Sequence, residues 1–135
     1  MPLDRTSRWH NQAVSDSEAL EWALQEARAA VNPGGSPDPQ VSDRVARAGA
    51  AAVEGLRSCE GRPAWRLQMP GVPDPLREAR HDVRAAAQAV LGQLELIGLA
   101  WTSWDAEAQA AVLGELEESC RELADEAGRF TREAG

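Results

Sequence analysis

Tryptophan and arginine occur together along this sequence, and both residue types favour contacts with other proteins. Trp65 is flanked by Arg62 and Arg66, and Trp101 and Trp104 stand three residues apart further along. Trp and Arg are strongly enriched at binding hot spots. The pattern therefore predicts a partner-binding surface made of Trp65, Arg62, Arg66, Trp101 and Trp104. The alternative interpretation is that these indoles cover the ends of a helical core, with arginine stacked on their faces.

Glutamate and histidine supply a second candidate for chemistry. Glu78 and His81 have the Glu-x-x-His spacing that places two metal ligands on one face of a helix. A di-metal site needs a second such pair, but the other histidine, His10, lies in a polar stretch far away in sequence. Ala79 and Val83 belong to an apolar helical stripe, which turns Glu78 and His81 sideways. We therefore predict no metal site and no cofactor.

The C-terminal third of the chain carries a run of acidic residues. Within it, Glu122-Leu-Ala-Asp125 resembles half of the acidic signature of all-α nucleotide pyrophosphohydrolases of the MazG-like family. The resemblance implies a magnesium-dependent nucleotide hydrolase whose acidic clusters lie on two helices. The other half is missing, since the preceding helix offers widely spaced acidic residues. A solvated acidic helix face is the simpler interpretation.

The elements that would position these residues are helices. Between Asp74 and Phe130, apolar residues recur in steps of three or four on two stripes separated by about five residues, which predicts an antiparallel helical hairpin. Thr102 to Asp105 provides the capping signal of the second hairpin helix, and Asp74 with Pro75 starts the first. The stripes are Leu76, Ala79, Val83, Ala86, Val90, Leu94 and Ile97, and then Ala108, Val112, Leu116, Cys120, Leu123, Ala127 and Phe130.

Two further helices are predicted in the first half. The first begins near Ser15, with Ser17 as a rival cap, and ends at the Pro-Gly-Gly of 33–35. The second begins between residues 36 and 39, and its Gly49 and Gly55 indicate a close helix crossing.

These elements predict an all-α, four-helix up-down-up-down bundle. Residues 60–74 contain three Pro and two Gly and predict a long connector between helices 2 and 3. We expect one helical domain over residues 15–135, preceded by a polar tail over 1–14.

Composition narrows the classes of function. The 14 basic residues are all Arg, which is typical of a GC-rich bacterial or phage genome, and the net charge of −8 disfavours nucleic acid and anionic membranes as partners. Neither an apolar leader nor a membrane-length apolar run is present, so we expect a cytoplasmic protein. Cys59 and Cys120 are expected to be free thiols. The charge is unevenly distributed along the chain, and homodimer formation is a further prediction.

The sequence favours a small non-enzymatic protein that binds another protein in a regulatory, accessory or inhibitor and immunity role. The contacts would come from the Trp and Arg surface and from the acidic fourth helix. The alternative is a small-ligand-binding protein or metal-dependent nucleotide hydrolase with a Trp-lined pocket at one end of the bundle.

Overall fold

The computed structural model describes residues 15–32, 39–66 and 69–135, and over these residues it is helical and without strands. The predicted tail over 1–14 and the Pro-Gly-Gly stop of the first helix lie outside the described residues. Four long helices and one short one follow in order, with a 3-10 turn at Trp101–Ser103: α1 Asp16–Ala30, α2 Pro39–Glu60, α3 Pro63–Arg66, α4 Arg77–Ala100 and α5 Ala106–Ala134. The all-α prediction is confirmed for this part of the chain.

The predicted cap of α1 is confirmed. The hydroxyl oxygen of Ser15 accepts a hydrogen bond from the backbone N–H of Glu18 at 3.2 Å, which satisfies one of the free donors of the first turn. Ser17, the rival cap, lies inside the helix. Its own N–H donates to the carboxylate of Glu60 at 3.2 Å and ties the start of α1 to the end of α2.

The helices of the hairpin begin later than the capping patterns predicted. Asp74 accepts from the N–H of Leu76 in a turn, and α4 starts only at Arg77. At the other helix Asp105 is itself the cap and accepts from the N–H of Ala108 at 2.8 Å. The residues before it, from Trp101, form the 3-10 turn instead of helix α5.

The long helices pack around the core in the order α1, α2, α5, α4, so α2 and α4 lie diagonally opposite. The side chain of Arg44 donates to Glu117, and the thiol of Cys59 donates to the carbonyl of Ala127. Residue numbers therefore rise together along α2 and α5, which run parallel. Since α4 and α5 form an antiparallel hairpin, α2 and α4 run in opposite directions, but they lie diagonally opposite instead of side by side. The up-down-up-down bundle stays a prediction.

The core is built mainly from aliphatic side chains, and the helices approach each other closely at two glycines. A Cβ at Gly49 would lie 2.5 Å from Cδ1 of Leu24, and a Cβ at Gly55 would lie 3.1 Å from that of Ala127. The close crossing predicted at these two glycines is confirmed. The large, fully buried side chains are Leu20, Val45, Leu56, Cys59, Val83, Val90, Leu94, Ile97, Leu116, Leu123 and Phe130.

Candidate interaction surface

Trp65 anchors the connector, which comprises residues 61–76. Pro63 occupies the first position of the single-turn helix α3, where a missing N–H costs nothing. The Trp65 indole is 5 % exposed and packs edge-on against Phe130, with ring centroids 5.2 Å apart at 88°. The guanidinium carbon of Arg84 lies 5.0 Å from the centroid of the indole. The indole assigned to a partner surface from the sequence therefore lies in the core and supports the connector from below.

The two arginines that flank Trp65 remain at the surface. Arg66 is exposed and Arg62 is half-buried. The N–H of Arg62 donates to the carbonyl of Cys59 at 3.1 Å, and the N–H of Trp65 donates to the carbonyl of Arg62 at 3.0 Å. These bonds fix the backbone of Arg62 next to the buried indole.

A partly buried ion pair, between buried Arg80 and half-buried Asp74, lies where α3 meets the start of α4. Arg80 is 4 % exposed, donates through Nη1 to the carbonyl of Ala64 at 3.1 Å and pairs through Nη2 with the carboxylate of Asp74. The hydrogen bond from Arg80 lowers the pKa of Asp74 from its ordinary value, and the N–H of Leu76, which donates at 2.9 Å, acts in the same direction. The nearby Nε of Arg80 has no hydrogen-bond partner. This pair holds the connector on the bundle.

The connector carries an apolar groove that was not predicted from the sequence. Its volume is about 260 Å³. Met69 and Val72 are 64 % and 55 % exposed, and Gly71 between them has a φ of 80°, which lets the chain turn sharply there. The groove is lined by Ala64, Met69, Val72, Pro73, Asp74, Pro75 and Leu76. The sequence signal was the presence of Met and Val inside a Pro- and Gly-rich segment, where polar residues are usual.

Trp101 and Trp104 lie at the other end of the molecule, where α4 turns into α5. Trp101 is buried, and Trp104 is half-buried with its ring centroid 6.3 Å from that of Trp101. The amide of Gln109 donates to the carbonyl of Trp101 at 2.9 Å. Beside them Leu99 is 79 % exposed and Leu96 is also exposed. Of the two predicted contact residues, Trp104 alone offers substantial surface here.

The structure does not assemble the candidate catalytic residues into a site. Glu78 and His81 are both exposed, and Nδ1 of His81 lies 3.5 Å from Asp82, which is also bound by Arg129 at 2.6 Å. Within the described ranges, no three His, Cys, Asp or Glu side chains are placed to hold a metal ion. The acidic pair of the hydrolase-like motif, Glu122 and Asp125, faces solvent.

The two cysteines are free, buried thiols, as the sequence predicted. Burial raises the pKa of Cys59 to about 11 and that of Cys120 to about 12. The reactive thiolate is therefore scarce at neutral pH. Neither thiol is suited to act as a nucleophile.

Comparisons with known proteins found no match to this chain: no family model, no curated protein and no solved structure matches it. Among the described residues, no helix has the length and apolar character needed to cross a membrane.

Proposed function

We propose that this protein is non-enzymatic and acts by binding another protein through the connector. The contact surface, here called the connector surface, consists of Arg62, Arg66, Met69 and Val72. The observation that carries the proposal is the apolar groove beside exposed Met69 and Val72. Exposed apolar area bordered by polar groups is typical of protein-binding sites.

Preorganisation supports this surface. Trp65 is packed on Phe130 and Asp74 is paired with Arg80, so both of these connector positions are held against the bundle before any partner arrives. A rigid segment loses less conformational entropy on binding than a mobile one. The groove is also smaller than the roughly 300–1,000 Å³ of a small-molecule pocket. These properties favour a partner that inserts a single apolar side chain.

The acidic face of α5 is proposed as a second contact surface. Glu115, Glu118, Glu122 and Asp125 are exposed along it at helical spacing. A negative helix face steers a basic partner towards the protein and suits an inhibitor or immunity role against a basic cleft. Trp104 belongs to the proposed contacts as well, whereas buried Trp101 supports it. Homodimer formation and a cytoplasmic location remain predictions.

Paired variants at the two ends of the bundle test the connector surface. The tagged protein and its Met69→Ser/Val72→Ser variant would be used as baits in lysate of the source cells. The matched control is Leu96→Ser/Leu99→Ser, which removes similar exposed apolar area from the hairpin. We expect the partner to be recovered with the wild type and the control and lost with the connector variant. Equal recovery with all three baits would refute the connector surface.

A further inference from the structure

A row of basic side chains runs along α4 next to the connector. Arg77, Arg80, His81 and Arg84, here called the basic stripe, line a groove of about 360 Å³ that continues to Gln88. At 1.5 Å per residue the groove extends along roughly 17 Å of helix. Its length and open shape suit an extended segment better than a compact ligand.

The basic stripe has fewer carboxylates paired with it than it has arginines. Arg80 has Asp74, but Arg77 and Arg84 have no carboxylate within ion-pair distance among the residues that the structure describes. Asp82, on the same helix, is already held by Arg129 at 2.6 Å. Glu78 is the remaining acid within this part of α4, and it is exposed. The stripe is therefore a local excess of positive charge on a protein whose net charge is −8.

Two arginines of the basic stripe, Arg80 and Arg84, are held in place by contacts within the protein. The Arg84 guanidinium lies over the Trp65 ring, and Arg80 is bonded to both Asp74 and the carbonyl of Ala64. Arginines positioned in this way lose less side-chain entropy when they bind carboxylates. The unpartnered Nε of buried Arg80 adds a donor that the protein itself leaves unsatisfied.

We infer that the basic stripe receives an acidic segment of the partner protein. Carboxylates of that segment bind Arg77 and Arg84, and a neighbouring apolar side chain enters the groove between Met69 and Val72. The two grooves adjoin, because Asp74 and Ala64 line the apolar groove and both bind Arg80. The inference rests on the proposed function and adds the chemistry of the partner. A combined acidic and apolar segment matches both grooves, whereas a nucleic acid would leave the apolar one unused and meet a strongly acidic protein.

Fluorescence anisotropy with a labelled peptide tests this inference. The probe is a peptide of Glu residues that ends in one Leu and is long enough to span the basic stripe. A second peptide of the same length carries Gln in place of each Glu. The test variant is Arg77→Gln/Arg84→Gln. The matched control is Arg28→Gln/Arg47→Gln, which makes the same change in net charge at exposed arginines of α1 and α2. Arg77→Gln alone, at an exposed position away from Trp65, serves if the double variant unfolds.

We expect the Glu peptide to bind the wild type and the control within about twofold of each other, and the test variant at least about tenfold more weakly. Binding should weaken as salt is added, and the Gln peptide should not bind. No binding of the Glu peptide to the wild type, equal losses in both double variants, or tighter binding of single-stranded DNA of the same length would overturn the inference. Salt-sensitive self-association that the test variant abolishes would overturn it in favour of a second copy of the chain.

Failure of the inference is distinguishable from failure of the proposed function. Arg77→Gln/Arg84→Gln is added to the baits of the lysate experiment. If partner recovery needs Met69 and Val72 but not Arg77 and Arg84, the connector surface stands and the acidic segment is refuted. If recovery needs neither pair, both proposals fail.

Discussion

The two ends of the bundle are both closed by tryptophan, yet they differ in what holds them and in what they expose. At the connector end, Trp65 packs on Phe130, Arg84 stacks on the indole, and a partly buried ion pair holds Asp74 against α4. At the hairpin end, Trp101 is buried and Trp104 half-buried, next to exposed Leu99. The connector end therefore combines positive charge with apolar area, whereas the exposed charged residues at the hairpin end, Asp105 and Glu107, are acidic. Charge and shape together give specificity, so the connector end, and not the hairpin end, complements the proposed acidic segment.

Among substitutions at the two ends, Trp65→Ala is expected to lower the stability of the protein the most. This change removes a buried indole and its contact with Phe130, so we expect a loss of about 3–5 kcal/mol in the free energy of unfolding, measured by urea denaturation. Trp65→Phe, which keeps an aromatic ring, should lose less. A Trp65→Ala protein with unchanged stability would place the indole on the surface and support the direct contact predicted from the sequence.

Asp74→Asn is expected to cost less than Trp65→Ala and to alter the response to acid. The pKa of Asp74 is lowered in the folded protein, so its contribution to stability is present above the ordinary carboxyl pKa of about 3.9 and is lost as the pH falls through the lower folded value. We expect the variant to be less stable at neutral pH, with a stability gap that narrows below about pH 4. Urea melts at pH 7 and in acid measure both.

Trp104→Ala should be tolerated far better than Trp65→Ala. The half-buried ring keeps one edge-on contact with Trp101, so a loss of about 1 kcal/mol is expected in the same urea assay. A loss as large as that of Trp65→Ala would show that the hairpin end is as firmly packed as the connector end.

The smallest change in stability is expected for Gly→Ala substitutions at two glycines inside helices, which differ in how closely they are packed. A Cβ at Gly114, in α5 towards the hairpin, meets nothing within 4 Å, so Gly114→Ala should raise stability by about 0.5–1 kcal/mol through helix propensity. At Gly55 in α2, an added Cβ would lie only 3.1 Å from the Cβ of Ala127, so Gly55→Ala should gain less stability or lose it. Thermal melts by circular dichroism compare the two, and equal gains would contradict the close approach at Gly55.

Local features were largely predictable from the sequence because local physics determines them. The cap at Ser15 follows from the spacing of Ser and Glu, and the hairpin between α4 and α5 follows from two stripes with a short loop. The close approach at Gly49 was predictable since glycine is costly in a helix interior unless space demands it.

The order of helices around the core was not predictable in the same way. Each long helix presents one apolar stripe, and such a stripe can pack against any of the others, so the sequence does not distinguish α4 from α5 as the neighbour of α2. A connector long enough to reach the next helix is also long enough to cross the core.

The site was only partly predictable because its features depend on tertiary contacts. Trp65 stood in a segment rich in Pro and Gly, where loop structure and exposure were expected, but Pro63 starts a helical turn that places the indole on Phe130. The burial of Arg80 was not predicted from the sequence. A charged side chain is rarely buried without a partner, and Asp74 becomes the partner of Arg80 only through the fold.

Site-specific photo-crosslinking in the source cells tests the central claim, which is that the connector end is where a partner binds. A photoreactive benzophenone amino acid would replace Val72 at the connector in one chain and Leu99 at the hairpin in another, both exposed positions. The account predicts a discrete crosslinked partner band with the Val72 substitution and none with the Leu99 substitution. A band with the Leu99 substitution alone would contradict the account and move recognition to the hairpin end.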